Sequence, residues 1–124
     1  MKIDKPHADN MPRASKAFLL QLLEEYKLSL QALNRSPKTI SWYSEILGSY
    51  FDFLESNSML KPVGEMGTHE LKRYILHLQK TPRWAKRPHF DGDKGKLSPY
   101  SIQGHVRALK AFWGWLEKEG YVQA

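Results

Sequence analysis

The chain has 124 residues, a formal net charge of +6, 26% charged residues and no cysteine. That length supports one domain with one real core, and the lack of cysteine excludes a disulfide frame, a thiol nucleophile and a thiolate metal site. The basic balance favours polyanionic partners, nucleic acid first and an anionic membrane surface second.

Residues 1–14 are polar, hold Pro6 and Pro12, and read as a flexible leader ahead of a domain spanning 15–124. They contain no apolar run of the signal-peptide kind, and no stretch approaches the ~20 apolar residues of a membrane span. A cytoplasmic chain with no membrane partner is expected. From Ser15 the pattern turns helical. Leu19, Leu22, Leu23, Tyr26, Leu30 and Leu33 recur at three- and four-residue spacing and predict one inward stripe. Asn34 and Ser36-Pro37 end this helix and start the next. Ser36 suits the N-cap, and Pro37 suits the first helical position, where its missing N–H costs nothing. The second helix should run to about Ser56, with Ile40, Tyr43, Leu47, Tyr50, Phe51 and Leu54 inward. Residues 57–67 hold Pro62, Gly64 and Gly67 and read as a loop. Thr68 is the expected cap of a shorter third helix, with Leu71, Tyr74, Ile75 and Leu78 inward and Pro82 as its stop.

Residues 80–97 crowd Lys80, Arg83, Lys86, Arg87, Lys94 and Lys96 against only Asp91 and Asp93. Their prolines and glycines predict a long basic loop, or a hairpin turning at Asp91-Gly92. Ser98-Pro99 opens the fourth helix, whose inward stripe should be Ile102, Val106, Leu109, Trp113 and Leu116, and Gly120 is its expected terminator. No segment alternates like a strand. The fold class expected is all-α, with four helices.

The second and fourth helices repeat one pattern. Residues 36–60 and 98–122 align without a gap at an offset of 62: Ser36 with Ser98, Pro37 with Pro99, Ile40 with Ile102, Leu47 with Leu109, Leu54 with Leu116. Their outer faces differ. Helix four offers Tyr100, Gln103, Arg107 and Lys110 around Gly104, a set able to enter a DNA major groove. Arginine can bond guanine or phosphate, glutamine can read adenine, and glycine permits close approach. Ser98, Ser101 and the free amides of the helix start favour a phosphate. Helix two offers Lys38, Ser41, Trp42, Ser44 and Glu45, close to neutral, so it should lie nearer the DNA backbone. The bland alternative is an ordinary solvated surface on both helices, and most aromatic residues fall on inward stripes. The histidines are scattered, Asp91-Gly92-Asp93 is only a fragment of a calcium loop, and no nucleophile has a placed base. No enzymatic activity and no metal or cofactor is expected of this chain.

SPKTISWYSEILGSYFDFLE resembles the Ser-x-x-Thr signature, with its spaced Tyr, Leu and aromatics, of the core-binding domain of tyrosine recombinases and phage integrases. LSPYSIQGHVRALKAFWGWLEKEGYV is similar to that domain's last helix. The resemblance covers about residues 15–122. It implies a SAM-like orthogonal four-helix bundle that forms half of a clamp on duplex DNA during integration or recombination. It also implies contacts from Lys38, Thr39 and Ser41 on helix two, and from Tyr100, Ser101, Gln103, Arg107 and Lys110 on helix four. Arg83, Lys86 and Arg87 would add phosphate contacts from the basic stretch. A catalytic domain in cis and self-association on DNA belong to the same implication. The family's catalytic arginine–lysine–histidine–arginine set and tyrosine nucleophile lie in a domain that would follow Ala124. Many members carry basic residues where this chain has Ser44, Glu45, Gly104 and His105. Two other readings of the residues stand beside this one: a helical protein–protein module, and a stand-alone helix-turn-helix-type regulator.

Overall fold

The computed structural model describes residues 14–80 and 99–122. It contains four helices: α1 (Lys16–Ala32), α2 (Pro37–Ser56), α3 (Thr68–Lys80) and α4 (Pro99–Glu119). No strand occurs among the described residues, so the all-α, four-helix expectation holds. Residues 1–13 of the 1–14 leader, residues 81–97 of the basic 80–97 stretch with its question of loop or hairpin, and the stop at Pro82 lie outside the described residues; Lys80, expected in that stretch, is the last residue of α3.

The helix starts follow from side-chain caps. Ser15 accepts the Phe18 N–H at 3.2 Å, and Ser36 accepts the Thr39 N–H at 3.1 Å with Pro37 at the first helical position. At α3 the expectation is corrected. Thr68 is already helical, and Gly67 holds the cap position, its carbonyl accepting from the Leu71 N–H at 3.3 Å. The Glu70 carboxylate reaches back to the Gly67 N–H at 2.8 Å, which is half of a capping box.

Three helices end the same way. After α1, the Arg35 N–H bonds the Leu30 carbonyl and the Asn34 N–H bonds that of Gln31. After α2 the pairs are Met59 to Leu54 and Ser58 to Glu55, and after α4 they are Tyr121 to Leu116 and Gly120 to Glu117. Each pair is the double bond of a Schellman ending, which needs a left-handed residue between helix and exit. Asn34 (φ 63°), Ser58 (φ 54°) and Gly120 (φ 85°) supply it.

α1 and α2 form an antiparallel hairpin. Lys16 pairs with Asp52 and Glu55 at one end, and Tyr26 meets Tyr43 edge-on at 5.7 Å nearer the other. α4 lies across this hairpin. Its N-terminal half touches α2 and α3, with Tyr74 Oη and His105 Nδ1 hydrogen-bonded at 3.4 Å. Its C-terminal half reaches α1, where Phe112 and Trp115 pack on Tyr26 and Trp115 Nε1 donates to Ser29 Oγ at 3.0 Å. α3 stands against α2 through Tyr74 on Tyr50 (5.0 Å) and on Phe53 (5.2 Å). One apolar core fills the centre, with Phe18, Leu22, Leu47, Leu54, Phe112 and Leu116 all nearly sealed from solvent.

Several stripe positions are corrected. Leu33 is 66% exposed because α1 ends at Ala32 and Leu33 already turns away, while Phe18 takes the inward place at the helix start. Tyr43, Leu71 and Ile75 are half-buried flanks. On α4 the inward residues are Gly104, Ala108, Leu109, Phe112 and Leu116, and Ile102, Val106 and Trp113 are only half-buried. The stripe is rotated toward Gly104, Ala108 and Phe112, with the Trp42 ring lying against the glycine. The segment 57–67 is not a solvated loop throughout. It contains a 3-10 turn, Val63–Glu65, and docks Val63 and Met66 into the core.

Candidate nucleic-acid interface

The sequence-predicted residues that the structure describes lie in the first turns of α2 and along α4 from Tyr100 to Lys110. Lys38 and Ser41 are exposed on α2. Thr39 is half-buried, and its hydroxyl accepts from Ser36 Oγ at 3.0 Å, so it serves the helix cap as well as the surface. On α4, Ser101, Gln103, Arg107 and Lys110 are exposed and Tyr100 is 77% exposed. Ser98, Arg83, Lys86 and Arg87 lie outside the described residues.

The two segments meet at one point. A Cβ placed on Gly104 would stand 3.5 Å from Trp42 Cζ2 and 3.9 Å from an Arg107 guanidinium nitrogen. Gly104 is therefore buried beneath the Trp42 ring, not open toward a groove as its place on the outer face suggested. Its missing side chain admits Trp42, and the tryptophan ties α2 to α4. Trp42 itself remains 40% exposed. Near this contact α4 carries the exposed Tyr100, Gln103 and Arg107, and α2 carries the exposed Lys38 one turn before Trp42. Trp42 is the site residue that sequence reasoning undervalued. Its signal was there: a large aromatic standing off the inward stripe of α2.

The charge is polar along both helices. α2 begins with Lys38 and continues through Glu45 to Asp52 and Glu55; α4 carries Arg107 and Lys110, then Glu117 and Glu119 beside Lys118. On α2 the cation Lys38 lies in the first turn, where the helix dipole favours an anion, whereas on α4 Arg107 and Lys110 stand two turns or more beyond the helix start. A second feature flanks the first. The C-terminal half of α1 and the start of α2 leave a cleft of about 310 Å³, lined by Lys27, Gln31 and Arg35 on one side and Ile40, Ser41 and Ser44 on the other.

The tyrosines buried in the core, Tyr26, Tyr50 and Tyr74, are not activated nucleophiles. Burial pushes the Tyr26 hydroxyl up to about 12, and burial likewise raises Tyr50 and Tyr74, so all three stay protonated at neutral pH. Among the described residues no group of three histidines or carboxylates could hold a metal ion. No helix among them is long and apolar enough to cross a membrane. No protein-family model, curated protein or solved structure matches the chain.

Proposed function

We propose that this chain is a DNA-binding module of the tyrosine-recombinase core-binding kind, gripping duplex DNA with the joined N-terminal segments of α2 and α4. The observation that carries this reading is the Trp42–Gly104 contact, which brings the exposed Tyr100, Gln103 and Arg107 beside the helix that bears Lys38. The overall charge of +6 supports it, as does the resemblance of both repeat copies to that domain. In this reading α4 supplies base contacts, because Arg107 and Gln103 are the side chains able to read base edges. α2 supplies backbone contacts, because Glu45 would be repelled by deeper approach to phosphates. The chain acts as a binding module, and cutting the strand belongs to a catalytic domain in a full-length parent. The exposed leucines Leu20, Leu28, Leu33 and Leu76 do not fall on one stripe, so a protein–protein module gains no comparable support.

Titration of labelled duplex at several salt concentrations tests the proposal. Non-specific binding is expected with a Kd of about 10⁻⁴–10⁻⁶ M that weakens steeply with salt. Arg107→Ala should weaken binding to a preferred sequence by about 1–3 kcal/mol. Lys38→Ala should weaken all sequences alike and lower the salt slope by about one. Absence of duplex binding at low salt, or binding indifferent to salt, overturns the reading. A silent Arg107→Ala beside a sequence-selective Lys38→Ala reverses the roles of the two helices.

A further inference from the structure

The cleft between α1 and α2 has a one-sided chemistry. Lys27 and Arg35 bring two cations to it, Gln31, Ser41 and Ser44 bring neutral polar groups, and no carboxylate lines it. Ile40, which is buried, gives it an apolar floor. Its backbone frame is fixed. The Arg35 N–H donates to the Leu30 carbonyl at 3.0 Å, and the next residue is the Ser36 cap. The Schellman bonds also occupy the carbonyls of Leu30 and Gln31 at the α1 end. The start of α2 is capped as well, Ser36 accepting the Thr39 N–H on its hydroxyl and the Ile40 N–H on its carbonyl, so the side-chain cations of Lys27 and Arg35 are what an anion would meet here. Lys27 Nζ contacts Glu24 at 3.1 Å, but that pair is solvent-exposed and therefore weak. On a helical surface Ser41 and Ser44 lie on the flank of α2 away from Trp42, and Lys38 is exposed within the same first turns.

We propose that this cleft seats one phosphodiester group of the DNA backbone, with Arg35 and Lys27 as counter-charges and the Ser41 and Ser44 hydroxyls as donors. It rests on the DNA-binding reading and extends the grip to the side of α2 away from α4. α2 carries Lys38 as its one cation, and α1 with its exit turn supplies two more beside it. A backbone running past Lys38 would thus meet positive charge on both flanks of α2.

The test uses the full chain and a labelled duplex, with binding followed across a range of salt. Losing one phosphate contact removes about 0.9 from the salt slope, which corresponds to about eightfold weaker binding near 0.1 M salt. Arg35→Ala and Lys27→Ala should each show this loss. Arg35→Lys should restore most of the slope, and Lys118→Ala, at the opposite end of α4, should leave it unchanged. Thermal unfolding of each variant separates lost contact from lost fold, and Arg35→Lys keeps the test sound where Arg35→Ala disturbs the turn. If wild-type chain binds duplex and both alanine variants keep its slope, the cleft is not a phosphate seat, although the DNA-binding reading stands. If Lys118→Ala lowers the slope equally, the effect is general charge and the cleft has no special role. If wild-type chain binds no duplex, both readings fall.

Discussion

Among the described residues Glu70 is the one charged residue sealed in the core, at 1% exposure. Burial alone pushes its carboxyl upward. Lys61 Nζ at 2.6 Å and the Gly67 amide at 2.8 Å outweigh that and hold it below the ordinary carboxylate value of 4.5. The folded state therefore binds its proton less readily than the unfolded chain. Stability from this group is fully present above the unfolded value and is lost as pH falls through the folded one. Glu70→Gln is expected to lower stability at pH 7 by about 1–3 kcal/mol, because a charge-assisted contact becomes a neutral one. Urea unfolding of both forms from pH 7 down to pH 3 checks this, and the gap between them should narrow below about pH 4.5. A constant gap would mean that the carboxylate charge contributes nothing. Sequence could not have placed Glu70 inside. An acid in a helix's first turn is ordinary surface, and its partner Lys61 belongs to the segment before the helix.

At the scale of elements, chain punctuation carried most of the boundaries. Ser15, Ser36-Pro37, Asn34 and Gly120 mark starts and ends that local chemistry enforces. Ser58 does not announce itself, since serine seldom adopts a positive φ, yet it closes α2 as Gly120 closes α4. Its side chain is exposed. Ser58→Gly is therefore expected to raise stability by up to about 1 kcal/mol by relieving left-handed strain, read as a higher Tm. Asn34→Gly should gain less, because asparagine tolerates that conformation. The face of α4 was misread for a different reason. Hydrophobic periodicity weights large side chains, so it passes over Gly104 and Ala108, and with aromatics at Phe112, Trp113 and Trp115 it does not decide which of them faces inward. Gly104→Ala adds a methyl at ordinary contact distance, 3.5 Å from Trp42, and improves helix propensity by up to about 1 kcal/mol, so it should be neutral or stabilising. Gly104→Leu must displace Trp42 or Arg107 and should cost about 1–3 kcal/mol. Denaturant unfolding of the two variants gives opposite signs if Trp42 truly roofs the glycine.

For the whole molecule, the outward placement of Lys38, Ser41, Tyr100, Gln103, Arg107 and Lys110 was legible, because helical period alone decides it once helix limits are known. What lay beyond sequence was contact between elements: the Trp42 bridge, and the cleft that needs α1 and α2 side by side to exist. Neither leaves a local pattern, since each depends on how α4 crosses the hairpin or on how the hairpin closes. The repeat gives the bridge a further meaning. Trp42 and Gly104 hold the same place in the two copies, 62 residues apart. Two tryptophans at these matching positions would overfill the space and two glycines would leave a void. One large and one small residue fill it here, so the two copies of the pattern meet at a position where they differ.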